Sequence, residues 1–244
     1  MRFTVLIPTY NRDYLLRQAI QSMLDQTFKG YEILIVDDGS TDMTKKIVSE
    51  MMEKDDRIRY LRFDKHQGLV PALNFGNREA KGEIIVKQDS DDMSLPNRLE
   101  VIDRLFSLFP DAEFLYHGMY QTHESEEFPG QLVRSYLPAL PIDEGRLLKE
   151  QYIPGCFAYT KDFIEQVPYR DLHCSEDWML ILDAVLRKRK VIWWNEGLYE
   201  YILRPDSNSM IHENTGNYEE DEAKMKSILE KEYGVTDFKY AIRK

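Results

Sequence analysis

Short apolar runs alternate with amphipathic stretches along the first half of the chain. Near-continuous apolar runs cover residues 3–7, 33–36 and 84–86. Runs of this kind are typical of strands buried on both faces of a parallel sheet. Apolar residues at helical spacing predict helices over 13–26, 41–54, 69–80 and 96–109. Strand and helix in alternation predict βαβ units, so the expected class is α/β, with a Rossmann-like, mostly parallel sheet flanked by helices.

The second half of the chain is less regular. Residues 117–140 are polar and contain prolines and a cluster of glutamates, so we interpret them as a long loop, a feature that is often functional in compact domains. Later strands are predicted over 153–159 and 191–194, and helices over 176–189 and 218–233. The acidic residues 219–222 suit the start of the last helix. The expected organisation is a domain over 1–215, with halves 1–116 and 117–215, and a helical tail over 216–244.

Composition narrows the range of partners. The 244 residues include 43% hydrophobic and 31% charged residues, which is ordinary for a globular protein with a sizeable core. The formal net charge is −11, whereas proteins that bind nucleic acid usually carry a basic face, so no nucleic-acid partner is expected. An acidic protein that binds an anionic nucleotide needs local positive charge, and a divalent cation is the obvious source.

Two cysteines, Cys156 and Cys174, form no zinc-type spacing and are interpreted as reduced thiols. No apolar run approaches the ~20 residues of a membrane span, and the N-terminus enters a strand directly, without a visible signal peptide. These features predict a cytoplasmic protein. Peripheral contact with a membrane remains compatible with the sequence, because a lipid-linked acceptor would require it.

Polar clusters follow three of the predicted strands. They occupy residues 8–11, 37–40 and 89–92. In open parallel sheets ligands bind at the carboxyl ends of the strands, so three clusters there predict a binding site. A single aspartate at such a place is often only a helix cap, and Asp13 and Asp42 fit that simpler interpretation.

The third cluster holds three carboxylates, from Asp89, Asp91 and Asp92, within four residues. They repel one another unless a cation neutralises them, and Mg²⁺ or Mn²⁺ prefers such oxygen ligands. Alternation in an extended segment directs Asp89 and Asp91 the same way, so one could hold the metal while the other reaches a nucleotide.

Other classes of site fit these clusters less well. An EF-hand loop starting at Asp89 would need glycine where Ser94 stands, and a helix where a strand is predicted. Haloacid-dehalogenase-type phosphatases place an acidic pair after the first strand, whereas this chain has Pro8-Thr9-Tyr10 there. The glycine-rich signatures of dinucleotide-binding folds and of P-loop NTPases are absent from the sequence.

An ordered set of motifs carries a family resemblance. The motifs are Val5-Leu6-Ile7-Pro8-Thr9-Tyr10-Asn11, Ser22-Met23-Leu24-Asp25-Gln26-Thr27, Ile35-Val36-Asp37-Asp38-Gly39-Ser40-Thr41-Asp42, Gly68 with Ala72-Leu73-Asn74 and Ala80-Lys81-Gly82-Glu83, and Asp89-Ser90-Asp91-Asp92 with Pro96 and Arg98-Leu99-Glu100. In this order they resemble family 2 glycosyltransferases of the GT-A fold. The match is strong over the first hundred residues and looser beyond, through Glu176-Asp177 and Tyr201, Arg204 and Ser207-Asn208-Ser209.

The resemblance implies roles on the donor side, in the half formed by residues 1–116. Pro8, Thr9 and Tyr10 would line the pocket for the base of a nucleotide sugar. Asp38 would accept a hydrogen bond from the base, and the turn after it is expected to expose its side chain above the sheet. Asp89, with Ser90 beside it, would lie near the ribose. Asp91 would bind the metal, with Asp92 close by.

The resemblance also implies an acceptor side in residues 117–215. Asp177 would be the catalytic base, although Glu176 is the immediate alternative and acidic residues in a first helical turn also suit the helix dipole. Trp178 would either line the sugar pocket or belong to the core, and Gly155 would permit close approach. Arg204 would pair with the diphosphate, and His212 is a weaker candidate metal ligand.

The implied reaction is inverting, metal-dependent transfer of a sugar from a nucleotide diphosphate sugar to an acceptor hydroxyl. A UDP or GDP sugar is the expected donor, and a glycan or lipid-linked molecule the expected acceptor. Two alternatives stay open at this point. One is a nucleotidyltransferase, which usually has a glycine-rich, basic first loop, and the other is a nucleotide-sugar-binding module without catalysis. The missing Q-x-x-R-W segment favours single addition over processive synthesis.

Overall fold

A computed structural model describes residues 1–125, 131–204 and 217–239. Its strands are β1 (Phe3–Thr9), β2 (Tyr31–Asp37), β3 (Ile58–Arg62), β4 (Ile84–Lys87), β5 (Met93–Ser94), β6 (Phe114–Glu124), β7 (Leu132–Leu137), β8 (Phe157–Thr160) and β9 (Val191–Ile202). Its helices are α1 (Asp13–Leu24), α2 (Thr44–Met52), α3 (Leu69–Glu79), α4 (Arg98–Leu108), α5 (Glu144–Leu147), α6 (Lys161–Gln166), α7 (Glu176–Leu186) and α8 (Asn217–Tyr233).

The strands form one sheet in the order β3-β2-β1-β4-β8-β6-β9-β5, and β7 pairs with β6. The strands β3, β2, β1 and β4 are parallel neighbours, as the apolar runs predict. β8 then pairs antiparallel with both β4 and β6, whereas β9 runs parallel to β6. The chain moves outward from β1 to β3 and returns to place β4 on the other side of β1. This reversal creates a switch point, where open α/β sheets bind their ligands.

Apolar side chains cover both faces of the sheet. Along β1, Leu6 lies in one core cluster, and Val5 and Ile7 lie in the other. Successive side chains of a strand point to opposite faces, so a strand with both faces buried is mostly apolar, and its polar members, here Thr4, Glu32 and Lys87, need partners. This requirement explains why β1, β2 and β4 were legible in the sequence as continuous apolar runs.

The interpretation of residues 117–140 as a loop is wrong over much of its length. β6 continues to Glu124, and residues 119–124 pair antiparallel with 132–137 of β7. β9 likewise extends to Ile202, well beyond the predicted end at 194. The side chains of β7 are mostly exposed, so backbone pairing rather than burial holds this part of the sheet. A strand of that kind leaves no apolar run in the sequence.

The last helix packs on the same core as the sheet. Met225 and Leu229 of α8 have no exposed surface and join the cluster that contains Leu6 and Trp178. No helix among the described residues has the length and apolar character needed to cross a bilayer. The segment 216–244, expected as a tail, therefore contributes core side chains where it is described.

A buried carboxylate of α8 also fixes the segment that leads into α7. Asp221, with no exposed surface, accepts hydrogen bonds from the backbone nitrogens of His173 at 2.9 Å, Cys174 at 2.9 Å and Ser175 at 3.1 Å. Arg170 supports the same junction, because its guanidinium binds Asp183 of α7 and Glu232 of α8. The start of α7 is therefore set by residues that lie far away in the sequence.

We predict that Asp221→Ala lowers the free energy of unfolding by about 2–4 kcal/mol, because three backbone N–H groups lose their acceptor. Glu220→Ala is the matched control on the same helix turn. Glu220 is exposed and makes only an i,i+4 pair with Lys224, so its loss should cost at most about 0.5 kcal/mol. Urea unfolding of both variants measures the difference. Equal stability of the two variants would show that Asp221 does not anchor the segment.

Candidate active site

The site lies where β1, β2 and β4 end, facing the first turn of α7. The loops after β1 and β2 are tied to each other there. The backbone nitrogen of Asn11 donates to Ser40 Oγ at 2.9 Å, and Asn11 Oδ1 accepts from the backbone nitrogen of Thr41 at 2.8 Å. Asn11 has φ 49°, a left-handed conformation that asparagine tolerates better than most residues. The first two polar clusters thus form one rigid rim.

Asp13 and Asp42 extend this connection. Asp42 Oδ2 accepts from the backbone nitrogen of Asp13 at 3.1 Å, and Asp13 Oδ2 accepts from that of Met43 at 3.1 Å. Asp42 Oδ1 also accepts from the backbone nitrogen of Thr44, the first residue of α2. Neither aspartate occupies an N-cap position, which Arg12 holds for α1 and Met43 for α2, but both satisfy backbone donors near the starts of these helices.

An aromatic pair stands at the outer edge of the rim. Pro8 and Thr9 belong to buried β1, whereas Tyr10 is exposed. The Tyr10 ring stacks on His66, with ring centroids 3.9 Å apart and planes inclined by 20°. Sequence reasoning missed His66, because a lone histidine in the stretch after β3 carries no signal of its own.

Asp38 is buried, contrary to the expectation that its turn would expose it. Only 2% of the surface of Asp38 is exposed. Its carboxylate accepts from the backbone nitrogens of Gln67 and Gly68, both at 2.7 Å, and lies 2.7 Å from His66 Nδ1. Gly68 precedes α3 and has φ 106°, a conformation that favours glycine. Asp38 is turned inward because the segment before α3 supplies donors to it.

The acidic cluster after β4 divides into distinct environments. Asp92 is buried and accepts from the backbone nitrogen of Ile202 at 2.9 Å, and Ser90 is also buried. Asp91 is partly exposed, with Arg12 Nε 3.9 Å from its Oδ2. Burial and the charge of Asp89 raise the pKa of Asp91, and burial with the charges of Asp89 and Asp91 raises that of Asp92. Burial and the repulsion between neighbouring carboxylates therefore disfavour the ionised forms of Asp91 and Asp92.

The repulsion among these carboxylates is the observation that favours a divalent cation at the cluster. The described residues contain no set of three His, Cys, Asp or Glu side chains that could hold a metal by themselves. Mg²⁺ sites commonly use only one or two carboxylates and complete their shell with phosphate oxygens and water. Asp91, partly exposed and repelled by Asp89, fits that role. Arg204 donates to the backbone oxygen of Asp91 at 2.8 Å, which places a second cation at the cluster. His212 lies outside the described residues.

Lys87 joins the two sides of the site. It is the last residue of β4 and is 3% exposed. Its Nζ lies 3.0 Å from Asp89 Oδ1 and 2.9 Å from Asp177 Oδ2. Burial alone would lower the pKa of Lys87, but Asp177, Asp89 and Glu176 raise it well above its usual value. The signal that could have found it is a lysine inside an otherwise apolar strand, directly before an acidic cluster.

Asp177 and Glu176 face this lysine from the first turn of α7. Burial raises the pKa of Asp177, with Lys87 opposing that effect. Burial and the neighbouring Asp177 raise the pKa of Glu176 to about 8. Gly155 lies against the same carboxylate, since a Cβ at this position would stand 2.6 Å from Asp177 Oδ2. Trp178 is fully buried and donates to the backbone oxygen of Leu147, so it belongs to the core and does not line the cleft.

A buried polar network supports β4 from behind. Arg98, with no exposed surface, donates to the backbone oxygen of Lys87, to Gln88 Oε1, to Ser94 Oγ and to His117 Nε2. Burial and the charge of Arg98 lower the pKa of His117 to about 3, so the imidazole is neutral and can accept that bond. The network fixes both ends of the acidic segment.

Known glycosyltransferases resemble this chain in sequence over most of its length. The family model described as Glycosyl transferase family 2 matches residues 4–166. The chain belongs to this family. Two bacterial family relatives are a glycosyltransferase called GlyA from Streptococcus pneumoniae, 29% identical over 222 residues, and an uncharacterized glycosyltransferase from Haemophilus influenzae, 26% identical over 200 residues. These matches cover 86% and 82% of this chain, but 32% and 78% of the relatives, so the chain spans about a third of the pneumococcal protein.

Solved structures confirm the GT-A fold that the motifs implied for this family 2 glycosyltransferase chain. Staphylococcus aureus TarS 1–349 in complex with UDP-GlcNAc matches with a TM-score of 0.69 and 19% identity, over 94% of this chain and 70% of that one. The mannosyltransferase PcManGT from Pyrobaculum calidifontis, in complex with GDP-Man and Mn²⁺, matches with a TM-score of 0.67 and 17% identity, over 93% and 63%.

We predict that Asp38→Ala lowers the free energy of unfolding by about 2–3 kcal/mol, because two backbone donors before α3 lose their acceptor. His66→Ala is the control, since it removes the exposed partner and leaves both backbone bonds intact, and it should cost at most about 1 kcal/mol. Thermal and urea unfolding of both variants test this. An Asp38→Ala protein as stable as His66→Ala would contradict the structural role.

Proposed function

We propose that the chain transfers a sugar from a nucleotide diphosphate sugar to an acceptor hydroxyl, with inversion at the anomeric carbon. The observation that carries this proposal is the contact of Lys87 with both Asp89 and Asp177. Asp89 belongs to residues 1–116, the proposed donor-binding half, and Asp177 belongs to residues 117–215, the proposed acceptor half. The single side chain of Lys87 joins the two carboxylates. A transferase that joins two substrates requires such a shared cleft.

The base of the donor would bind at the rim formed by Pro8, Thr9 and Tyr10. Tyr10 offers an exposed aromatic face, and Asp38 offers carboxylate oxygens. His66 already stacks on Tyr10 and contacts Asp38, which are the two interactions expected of a base. A base that uses both groups therefore replaces the imidazole, while the backbone bonds of Asp38 remain. Asp89 and Ser90 would lie beside the ribose.

The diphosphate would lie above Asp91, with Arg204 and Arg12 nearby. Asp91, assisted by Asp92, would hold Mg²⁺ or Mn²⁺, which would act as a Lewis acid on the leaving group. Arginine suits phosphate because its planar guanidinium presents several donors at once. Arg204 and Arg12 thus place positively charged side chains beside the acidic cluster.

Asp177 is proposed as the general base. Its carboxylate takes the proton of the acceptor hydroxyl as the acceptor oxygen bonds to the anomeric carbon. The bond from that carbon to the diphosphate oxygen breaks, and its electron pair leaves with the nucleotide. Attack from the face opposite the leaving group inverts the configuration, through a transition state with oxocarbenium character. Glu176 carries a proton at neutral pH, since its pKa is raised to about 8.

The comparisons support the choice of donor and acceptor classes. The TarS structure holds UDP-GlcNAc and the PcManGT structure holds GDP-Man, so a UDP or GDP sugar is the proposed donor. A Campylobacter jejuni relative, 39% identical over 102 residues, which are 41% of this chain and 33% of that protein, is a glucosyltransferase named for an undecaprenol-linked glycan. A glycan, free or lipid-linked, is the proposed acceptor, and a lipid-linked one would bring the chain to a membrane surface.

We predict that UDP or GDP binds at least about tenfold more tightly with Mn²⁺ than with a chelator, which corresponds to about 1.4 kcal/mol. The reason is that a cation relieves the repulsion between Asp91 and Asp89 beside the proposed diphosphate position. Calorimetry with wild type, Asp91→Asn and the exposed control Asp25→Asn measures it. Asp91→Asn should abolish the effect of Mn²⁺, and Asp25→Asn should preserve it. The same affinity with and without metal would remove the cation from the proposal.

We predict that Asp177→Asn lowers the turnover of donor by about 10²–10⁴-fold, the range of general-base catalysis, with little change in nucleotide binding. Glu176→Gln is the matched neighbour, and it should retain most turnover because glutamine resembles the protonated form of Glu176. Release of nucleotide from UDP-GlcNAc and GDP-mannose, with water as acceptor, gives the rate. Full turnover in a folded Asp177→Asn protein would exclude Asp177 as the base, and binding without turnover in wild type would favour a binding module.

A further inference from the structure

The ammonium of Lys87 is enclosed by carboxylates from two parts of the chain. Lys87 is almost fully buried, yet its Nζ contacts Asp89 after β4 and Asp177 on α7. A charged amine taken out of water is costly unless partners compensate it. Glu176 also raises the pKa of Lys87 through its charge. Two carboxylates, of Asp89 and Asp177, therefore contact one buried cation, and the cation remains protonated.

The orientation of Asp177 follows from the same contact. Oδ2 is held by Lys87 at 2.9 Å and lies against the backbone of Gly155, where even a Cβ would come within 2.6 Å. Oδ1 is buried and accepts no bond of good hydrogen-bond geometry from the described residues, although the hydroxyl of Tyr169 also acts on this carboxylate. Lys87 therefore fixes the orientation of the carboxylate through Oδ2.

The charge state of Asp177 depends on the groups that face it. Burial and the carboxylate of Asp89 raise its pKa, whereas Lys87 and the hydroxyl of Tyr169 lower it. Glu176, its neighbour on α7, interacts with it as well. Among these groups, Lys87 is the one that carries a positive charge. Without it, a buried carboxylate beside Asp89 and Glu176 would take up a proton and could not accept another.

We propose that Lys87 is a positioning residue that holds Asp177 ionised and orients its carboxylate for the acceptor hydroxyl, while tying it to Asp89 on the donor side. This proposal rests on the proposed role of Asp177 as general base. During transfer the acceptor proton moves to the carboxylate of Asp177, the acceptor oxygen bonds to the anomeric carbon, and the electron pair of the broken bond leaves on the diphosphate. Lys87 keeps its protons throughout.

The first test uses the pH dependence of turnover in Lys87→Met and Lys87→Arg. Release of nucleotide from UDP-GlcNAc and GDP-mannose, with Mn²⁺ present, is followed against pH. Removing the charge should lower turnover at pH 7 by about 10²-fold and move the acid limb of the profile to higher pH, because Asp177 then holds its proton more tightly. Arginine should bring the limb back toward its wild-type position.

The matched control is Lys161→Met. Lys161 is also partly buried, but its ammonium donates to the backbone oxygen of Ala80 at 2.7 Å and lies at the start of α6. Its loss should leave the pH profile unchanged. A folded Lys87→Met protein with the wild-type acid limb would overturn the proposal for Lys87 alone, provided that Asp177→Asn is inactive. An active Asp177→Asn protein would instead overturn the role of Asp177.

The second test needs no substrate and measures unfolding. Lys87→Met leaves buried carboxylates uncompensated, so the variant should lose more stability relative to wild type at pH 8 than at pH 5. Expressed as the ratio of folded to unfolded protein, the loss should be at least about tenfold larger at pH 8. The sign follows because carboxyl groups with raised folded pKa destabilise the fold once the pH exceeds their unfolded value. A loss that does not change with pH would indicate a packing role.

A double variant covers the case in which Lys87→Met does not fold. Asp177→Asn removes one of the charges that the lysine compensates, so Lys87→Met/Asp177→Asn should be more stable than Lys87→Met alone. Recovery of folding in the double variant supports the charge pairing. A double variant as unstable as the single one would show that the lysine acts through packing, and would overturn the proposal.

Discussion

The burial of several carboxylates at the switch point of the sheet is the constraint that shapes this site. Acidic side chains can stay ionised out of water only when cations and hydrogen-bond donors compensate them. Here Lys87 supplies the charge between Asp89 and Asp177, and backbone donors satisfy Asp38 and Asp92. The compensating groups come from β4, from β9 and from the segment before α3. The fold must therefore be complete around the site before its charges are tolerable.

The same principle explains the support behind the cleft. Within the described part of the chain, the buried guanidinium of Arg98 bonds to no carboxylate, and its donors are satisfied by carbonyl, amide, hydroxyl and imidazole acceptors. Neutral acceptors leave the acidic cluster itself free for cations at its open side. The Arg98 network behind β4 holds the strand in place, whereas the charged groups in front of β4 face the proposed ligand site.

The parallel half of the fold was predictable because each buried strand is mostly apolar on both faces, which leaves a visible run. β7 and the outer part of β6 left no such run, since pairing holds strands whose side chains are partly exposed. The acidic residues of the site were legible as clusters or through the family motifs. Lys87, His66 and Asp221 were not, because their contacts with Asp177, Asp38 and His173 span 90, 28 and 48 positions and only the tertiary fold creates them.

The anchoring of α7 by Asp221 has a consequence for the order in which the molecule forms. The three backbone bonds that set the start of α7 close loops of 46 to 48 residues, whereas β1 pairs with β2 over 28 residues and β2 with β3 over 25. Distant contacts cost more chain entropy and tend to form later. Strands β1, β2 and β3 can therefore assemble early, whereas β4 closes on β1 over 81 residues and the helix that carries Asp177 is locked only when the last helix docks.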